Sequence, residues 1–395
     1  MLKITRGWAN WQTAKKLLIC LGAFASFFVL YLWRLGNLTL GLSQHEAGAR
    51  TASGSYHNLI NNPVNAPHKI LQYFWQTLDY HGAFWMRSVS ILFFILFLAS
   101  FYLLLKVWFG RFIAALGVVL FATTPWIIIS ARSAAPDVMW LSPIFFLFAF
   151  THLCHTTKRV NLAWFIFILS LILSVYTPGV IWFIVFVFIL KFKKIKPAVL
   201  KIKGHLVVGG LVLLILSILP LAYASFKHVS VGKELLLIPD NFIGGMALAK
   251  NIIWSFSGLV YKLPVHLDYT LGRLPLLNIA QVVLAAIGVY ALWKKARSET
   301  LIILFLIVLA VLATAINTNR LFLTMTIPAV AVFDAAGLRH LYKKWFYVFP
   351  HNPFAKTFGV CIVALILVAH VLYGFRYAVL AWPHNQDTRK VYVIK

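Results

Sequence analysis

The chain holds 395 residues, 62% hydrophobic and 16% aromatic, with 36 Lys and Arg against nine Asp and Glu for a net charge of +27. No water-soluble domain of this length can hide so much apolar surface, so lipid must serve as part of the solvent. The basic residues form loops rather than a stripe on a folded module, so a nucleic-acid partner is not expected. Cys20, Cys154 and Cys361 all sit in or at the end of apolar runs, which supports neither a disulfide framework nor a zinc site.

The first apolar run begins near Leu17 behind a basic leader, Lys3, Arg6, Lys15 and Lys16. It lacks a small-x-small cleavage site and reads as a retained anchor. Further runs begin near Phe84, Phe112, Val138, Leu162, Val180, Leu206, Leu276, Leu301, Leu321 and Phe358. Since a span needs about 20 apolar residues, these runs predict about eleven transmembrane helices. The fold class is an all-α polytopic membrane protein, one transmembrane domain over residues 1–395.

Short connections on one side hold 21 of the 36 basic residues, with the densest group between Lys191 and Lys203. The positive-inside bias then places the N-terminus in the cytoplasm and the C-terminus outside, with the inner (plasma) membrane of a prokaryote as the expected location.

Two outer loops are long, 34–83 and 226–275. In the first, Ser43-Gln44-His45-Glu46 fits a capping box opening a helix that ends around Asn61–Pro63. A second helix starts at Pro67, with Ile70, Leu71, Phe74, Trp75 and Leu78 on one face, and stops at Gly82. That face suits an amphipathic helix lying in the interface plane. The second loop carries a half-apolar stretch, Gly245–Tyr261, with Trp254 and Tyr261 suited to the headgroup zone.

Carboxylates are scarce. Glu46, Asp79, Asp137, Glu234, Asp240, Asp268 and Asp387 map outside, Glu299 and Asp334 at or near the inside. Acid–base chemistry is therefore expected at the outer surface. Glu46 has two readings: capping-box partner of Ser43, paired with Arg50 at i+4, or a catalytic carboxylate. His45 beside it titrates near neutrality, and is either a base or polar surface. Asp137 follows Pro136 and either complements a helix dipole or serves as a fixed carboxylate at the membrane surface, next to Arg132. Arg320, in the turn Asn317-Thr318-Asn319-Arg320, is either an interfacial anchor or a guanidinium aimed at a lipid phosphate. Asp334 lies five and six residues before Arg339 and His340, and local pairing accounts for it. His45, His57, His68 and His81 could make a divalent-metal site with Glu46, but their spacing matches no ligand pattern, so no metal is assigned, and no cofactor is required.

Several stretches, in order over residues 17–340, resemble the GT-C-type lipid-linked glycosyltransferases, the group of protein O-mannosyltransferases and bacterial aminoarabinose transferases. Gln44-His45-Glu46-Ala47 is similar to their Asp-Glu-Ala-like motif, and Arg87-Ser88-Val89-Ser90 to an Arg-x-x-Ser signature. Pro125 and the run from Ser130 to Asp137 resemble a further signature, as do Tyr176-Thr177-Pro178-Gly179 and Arg320-Leu321-Phe322 followed by Pro328. The resemblance implies a GT-C-like bundle with in-plane helices in both long outer loops. It also implies inverting transfer of a sugar from a polyprenyl-phosphate donor to an acceptor (protein, lipid or glycan) on the non-cytoplasmic face. Glu46, Asp137 and His45, ranked in that order, are then the candidate catalytic residues, with Lys69, Arg132 and Arg320 around the phosphate. The chain departs from the pattern where the family carries Asp and this sequence has His45. The family's double proline is here Asn65-Ala66-Pro67, followed by His68-Lys69. A lipid or solute transporter and a non-catalytic family member are the rival readings.

Overall fold

A computed structural model describes residue 22 and residues 24–156, 159–266 and 268–394. Leu17 and most of the first run, Cys20, the basic leader and Lys158 lie outside the described residues. Over the rest the protein is helical. The first long loop forms α1 (Gln44–Ala52), α2 (Tyr56–Asn61) and α3 (Ala66–Thr77). The bundle then runs α4 (Ala83–Phe109), α5 (Arg111–Ala122), α6 (Pro125–Ala131), α7 (Ser142–His155), α8 (Val160–Val175), α9 (Val180–Val199) and α10 (Gly204–Lys227). The second long loop holds α11 (Val229–Leu236) and α12 (Gly245–Val260), and α13 (Ile279–Lys295), α14 (Arg297–Asn317), α15 (Thr326–Val348) and α16 (Pro353–Phe375) complete the bundle.

Each described apolar run is thus a helix, as expected of an all-α polytopic membrane protein, though not every one is long and apolar enough to cross a membrane by itself. Among the described residues six helices are long and apolar enough to cross a membrane, or seven if α5 and α6 count as one span bent by 72°. At 16 residues, α8 reaches only about 24 Å, short of the hydrocarbon thickness. The lysines from Lys191 to Lys196 cut short the apolar part of α9.

Burial separates centre from rim. The best 18-residue window of Arg320–Val348 is wholly buried, whereas those of α10 and Pro353–His384 are 6% and 11% buried and present their apolar side chains outward, as lipid-facing helices do. Helix α15 therefore forms the axis of the bundle. It packs most extensively on α13, where Gly288 and Gly337 permit the approach: a Cβ on either would overlap the carbonyl of Phe333 or Leu284. Small residues at such crossings are the usual device where lipid supplies no hydrophobic drive between helices. Aromatic side chains such as Phe94, Phe97, Phe101, Phe121 and Phe146 fill the remaining core.

Both long loops are structured, with local corrections. The Ser43–Glu46 capping box is present in full, but the first helix ends at Ala52 and a second begins at Tyr56, because Ser55 caps anew through Asn58. Helix α3 begins at Ala66 with Pro67 in its first turn and ends at Thr77, before Gly82, which instead caps α4. Ile70, Leu71, Phe74 and Leu78 of this helix are exposed. The chain end returns to this loop, where Leu42 and Ile394 exchange main-chain hydrogen bonds of 2.7 and 3.2 Å.

Candidate active site

The bend after α5 delivers Ser130 to Asp137 under the first long loop, and there the sequence candidates separate. Glu46 is buried, and its carboxylate meets four donors: Arg87 Nε and Nη2 at 3.0 and 2.8 Å, the Ala134 amide at 2.7 Å and the Ser43 amide at 3.2 Å. Its ion partner is Arg87, not Arg50. Arg87 also donates to the Leu35 and Gly41 carbonyls and to Thr39 Oγ1. With its lone pairs so committed, Glu46 has little capacity left to accept a proton from a substrate. The arrangement fastens α1, α4 and the 132–136 turn together.

Asp137 and His45 instead face each other. His45 Nε2 stands 3.1 and 3.2 Å from the two oxygens of Asp137, and the Tyr269 hydroxyl donates to Oδ2 at 2.5 Å. Asp137 is 1% exposed, whereas the His45 side chain is 38% exposed and covers it. An approaching molecule therefore meets the imidazole first. The Asp137 charge lifts the His45 imidazole from its usual range to about 9, against the opposing effect of burial. A carboxylate bound to Nε2 keeps the proton there and leaves Nδ1 as the nitrogen able to gain or lose one.

The segment carrying Tyr269 was not singled out from the sequence beyond the position of Asp268. It brings in His266 and Asp268, whose side chains stand 3.9 Å apart (Nδ1 to Oδ2). Burial pushes the His266 imidazole down and the Asp268 carboxyl up, each partly offset by the other's charge. The segment is pinned from behind: Tyr377 Oη accepts from the Leu271 amide at 2.8 Å, and the Tyr392 hydroxyl donates to the Asp268 carbonyl at 3.1 Å. The available signal was the rare polar run His266–Thr270 inside an apolar chain.

The same segment borders a cavity of about 510 Å³ between α12 and α14, whose cations are Lys262, Arg273 and Arg320. Arg320 Nη1 donates to the Val265 carbonyl at 2.8 Å, one residue from His266. Of the three basic residues expected around a phosphate, Arg320 alone lines this cavity. Arg132 is buried and spends its guanidinium on the Leu30 and Trp33 carbonyls, at 2.8 and 2.7 Å. Lys69 is buried with Nζ 2.8 Å from the Asn62 carbonyl, and burial pulls its ammonium below the usual range. Lys262 and Arg273 were missed, because in sequence they look like any loop cations.

The first-loop histidines do not converge. His68 is buried against Ser90 Oγ at 2.9 Å, with burial lowering its imidazole to about 3, while His81 pairs with exposed Asp79.

These features define a polytopic membrane protein with an acid–base pair and a cationic cavity at one end of the bundle. Its fold is that of the GT-C proteins. Over 97% of this chain and 75% of the other, it is similar to ArnT from Cupriavidus metallidurans in the apo state, with a TM-score of 0.58 at 12% identity. ArnT bound to undecaprenyl phosphate matches over 95% of this chain and 75% of that one, with a TM-score of 0.56 at 10% identity. The archaeal oligosaccharyltransferase AglB from Archaeoglobus fulgidus, in complex with an inhibitory peptide and a dolichol-phosphate, gives 0.53 at 12% identity, over 93% of this chain and 55% of that one. No family model and no curated protein sequence matches the chain.

Proposed function

We propose that the protein is a membrane glycosyltransferase that moves a sugar from a polyprenyl-phosphate donor to an acceptor hydroxyl on the non-cytoplasmic face. The carrying observation is the half-exposed His45, held by buried Asp137, on the same side of the fold as the cavity of Lys262, Arg273 and Arg320. Support comes from fold relatives whose structures hold undecaprenyl phosphate or dolichol-phosphate.

In this reading the acceptor oxygen forms a bond to the anomeric carbon while the bond from that carbon to the phosphate oxygen breaks, so configuration inverts. The hydroxyl proton passes to His45 Nδ1. The leaving phosphate, which gains negative charge, is stabilised by Arg320, Arg273 and Lys262. Asp137 orients the imidazole and compensates the charge it acquires, and Tyr269 holds Asp137. Glu46 keeps the loop in place and is not the proton acceptor. The N-terminus lies in the cytoplasm, so that the site faces out.

The test is turnover of a polyprenyl-phosphate-linked sugar by purified protein in liposomes, followed as released polyprenyl phosphate. His45→Gln should lose roughly 10²–10⁴-fold, the usual contribution of a positioned base. Unchanged release by His45→Gln would overturn the assignment.

A further inference from the structure

The opposite end of the bundle carries a second cavity, which the transfer reaction does not use. Its volume is about 530 Å³, and it lies where α13 and α15 both end. Lys295, Arg339, His340, Lys343 and Lys344 line it, above an apolar floor that includes Phe109 and Leu292. Arg339 is partly anchored: Nη1 donates to the Trp108 carbonyl at 3.1 Å, and the guanidinium lies 5.8 Å from the centre of the Phe109 ring.

Scattered basic residues at a helix end ordinarily reflect topology bias and nothing more. Two facts set this group apart. First, the charges converge on one concavity whose wall includes no carboxylate. The chain's carboxylates on this half are already committed or unreachable: Glu299 pairs with Lys191 and Lys194 at 2.5 and 3.8 Å, and Asp334 is fully buried within α15. Four fixed positive charges around one hollow repel each other until an anion enters. Second, the cavity lies about 35 Å along the bundle from Arg320, counting 23 residues at 1.5 Å. That is one hydrocarbon thickness, so the cavity sits at the headgroup level of the other leaflet.

We propose that this cavity binds the phosphate headgroup of an anionic phospholipid from the leaflet opposite the candidate active site. The lysines and Arg339 neutralise the phosphodiester, and the apolar floor receives the start of an acyl chain. Basic pockets between spans suit such headgroups, at about five-fold in affinity per Lys or Arg.

The experiment is independent of transferase activity. Delipidated full-length protein is titrated with phosphatidylglycerol or phosphatidylcholine, and binding is read by native mass spectrometry. Phosphatidylglycerol should bind preferentially, and Lys343→Gln with Lys344→Gln should weaken it about 25-fold, from two charges at about five-fold each. Removing two charges elsewhere at the same end, Lys193→Gln with Lys196→Gln, should cost much less, because neither lines the cavity. Equal losses in both double variants would reduce the effect to general attraction and overturn the site. No preference over phosphatidylcholine would overturn it as well. Displacement of the lipid by millimolar glycerol 3-phosphate would identify a free phosphate as occupant and overturn the lipid assignment. If the first double variant does not fold, Lys295→Gln with Lys344→Gln is judged by the same outcomes.

Discussion

Replacing Asp137 with Asn isolates the role of its charge, since Asn keeps the shape and still offers Nε2–H of His45 an oxygen. With Asp137 present, the His45 imidazole titrates at about 9. At pH 7 only about one molecule in a hundred then carries the neutral base, and kcat/KM should climb tenfold per pH unit toward the pKa. His45 is 38% exposed, and solvent screens a pair at that exposure, so the limb is expected to bend at about 8 to 9. Without the charge the imidazole returns toward its ordinary value near 6.5, and the limb should move down by about 1.5–2.5 pH units. The weaker base should also lower the plateau, by about tenfold for a proton transfer half complete in the transition state. The assay is kcat/KM from pH 6 to 10 with a polyprenyl-phosphate sugar. A wild-type rate that falls between pH 7 and 9, or a limb that Asp137→Asn leaves in place, would refute His45 as the proton acceptor.

The same pair should appear in stability. Because the folded-state pKa of His45 is raised, its contribution is complete below about pH 6.5 and is lost as pH rises through about 9. Thermal unfolding in detergent should shift down over that window in wild type and less in Asp137→Asn. Glu46→Gln leaves the Arg87 charge buried without its counter-charge, at a cost of about 3 kcal/mol in stability, read as a lower unfolding temperature. Activity per folded molecule should change far less than in His45→Gln. Arg320→Ala and Arg273→Ala should each raise the donor KM about tenfold, the scale of one lost charge-assisted hydrogen bond, whereas Arg132→Ala should act on stability alone. Gly288→Val should separate α13 from α15 and lower the yield of folded protein, because its side chain would meet the Phe333 carbonyl.

Much of the architecture was legible because lipid imposes a coarse rule on sequence. Apolar runs had to become helices, as they are from Phe84 to Phe358, and Ser43 and Glu46 announced the capping box, since a cap is decided by residues three apart. The helices that fall short of spanning were less legible, because periodicity reports helix but not where a run leaves the hydrocarbon. The site was legible only in its ingredients. Glu46, His45 and Asp137 were visible as candidates but their partners were not: Arg87, 41 positions away, claims Glu46, and Tyr269, 132 positions away, meets Asp137.

By itself, then, the sequence determined that this protein lives in a membrane, that it is helical, and that its carboxylates gather at one end, because each of these follows from composition and local spacing. Tertiary structure decided which charges are spent and which are free. Arg87, Arg132 and Lys69 look as available in sequence as Arg320, Arg273 and Lys262. The first three are buried and consumed by Glu46, the Leu30 and Trp33 carbonyls and the Asn62 carbonyl respectively, and their burial makes those partnerships obligatory. A charge that still faces a cavity is what packing left over, and no local pattern records it.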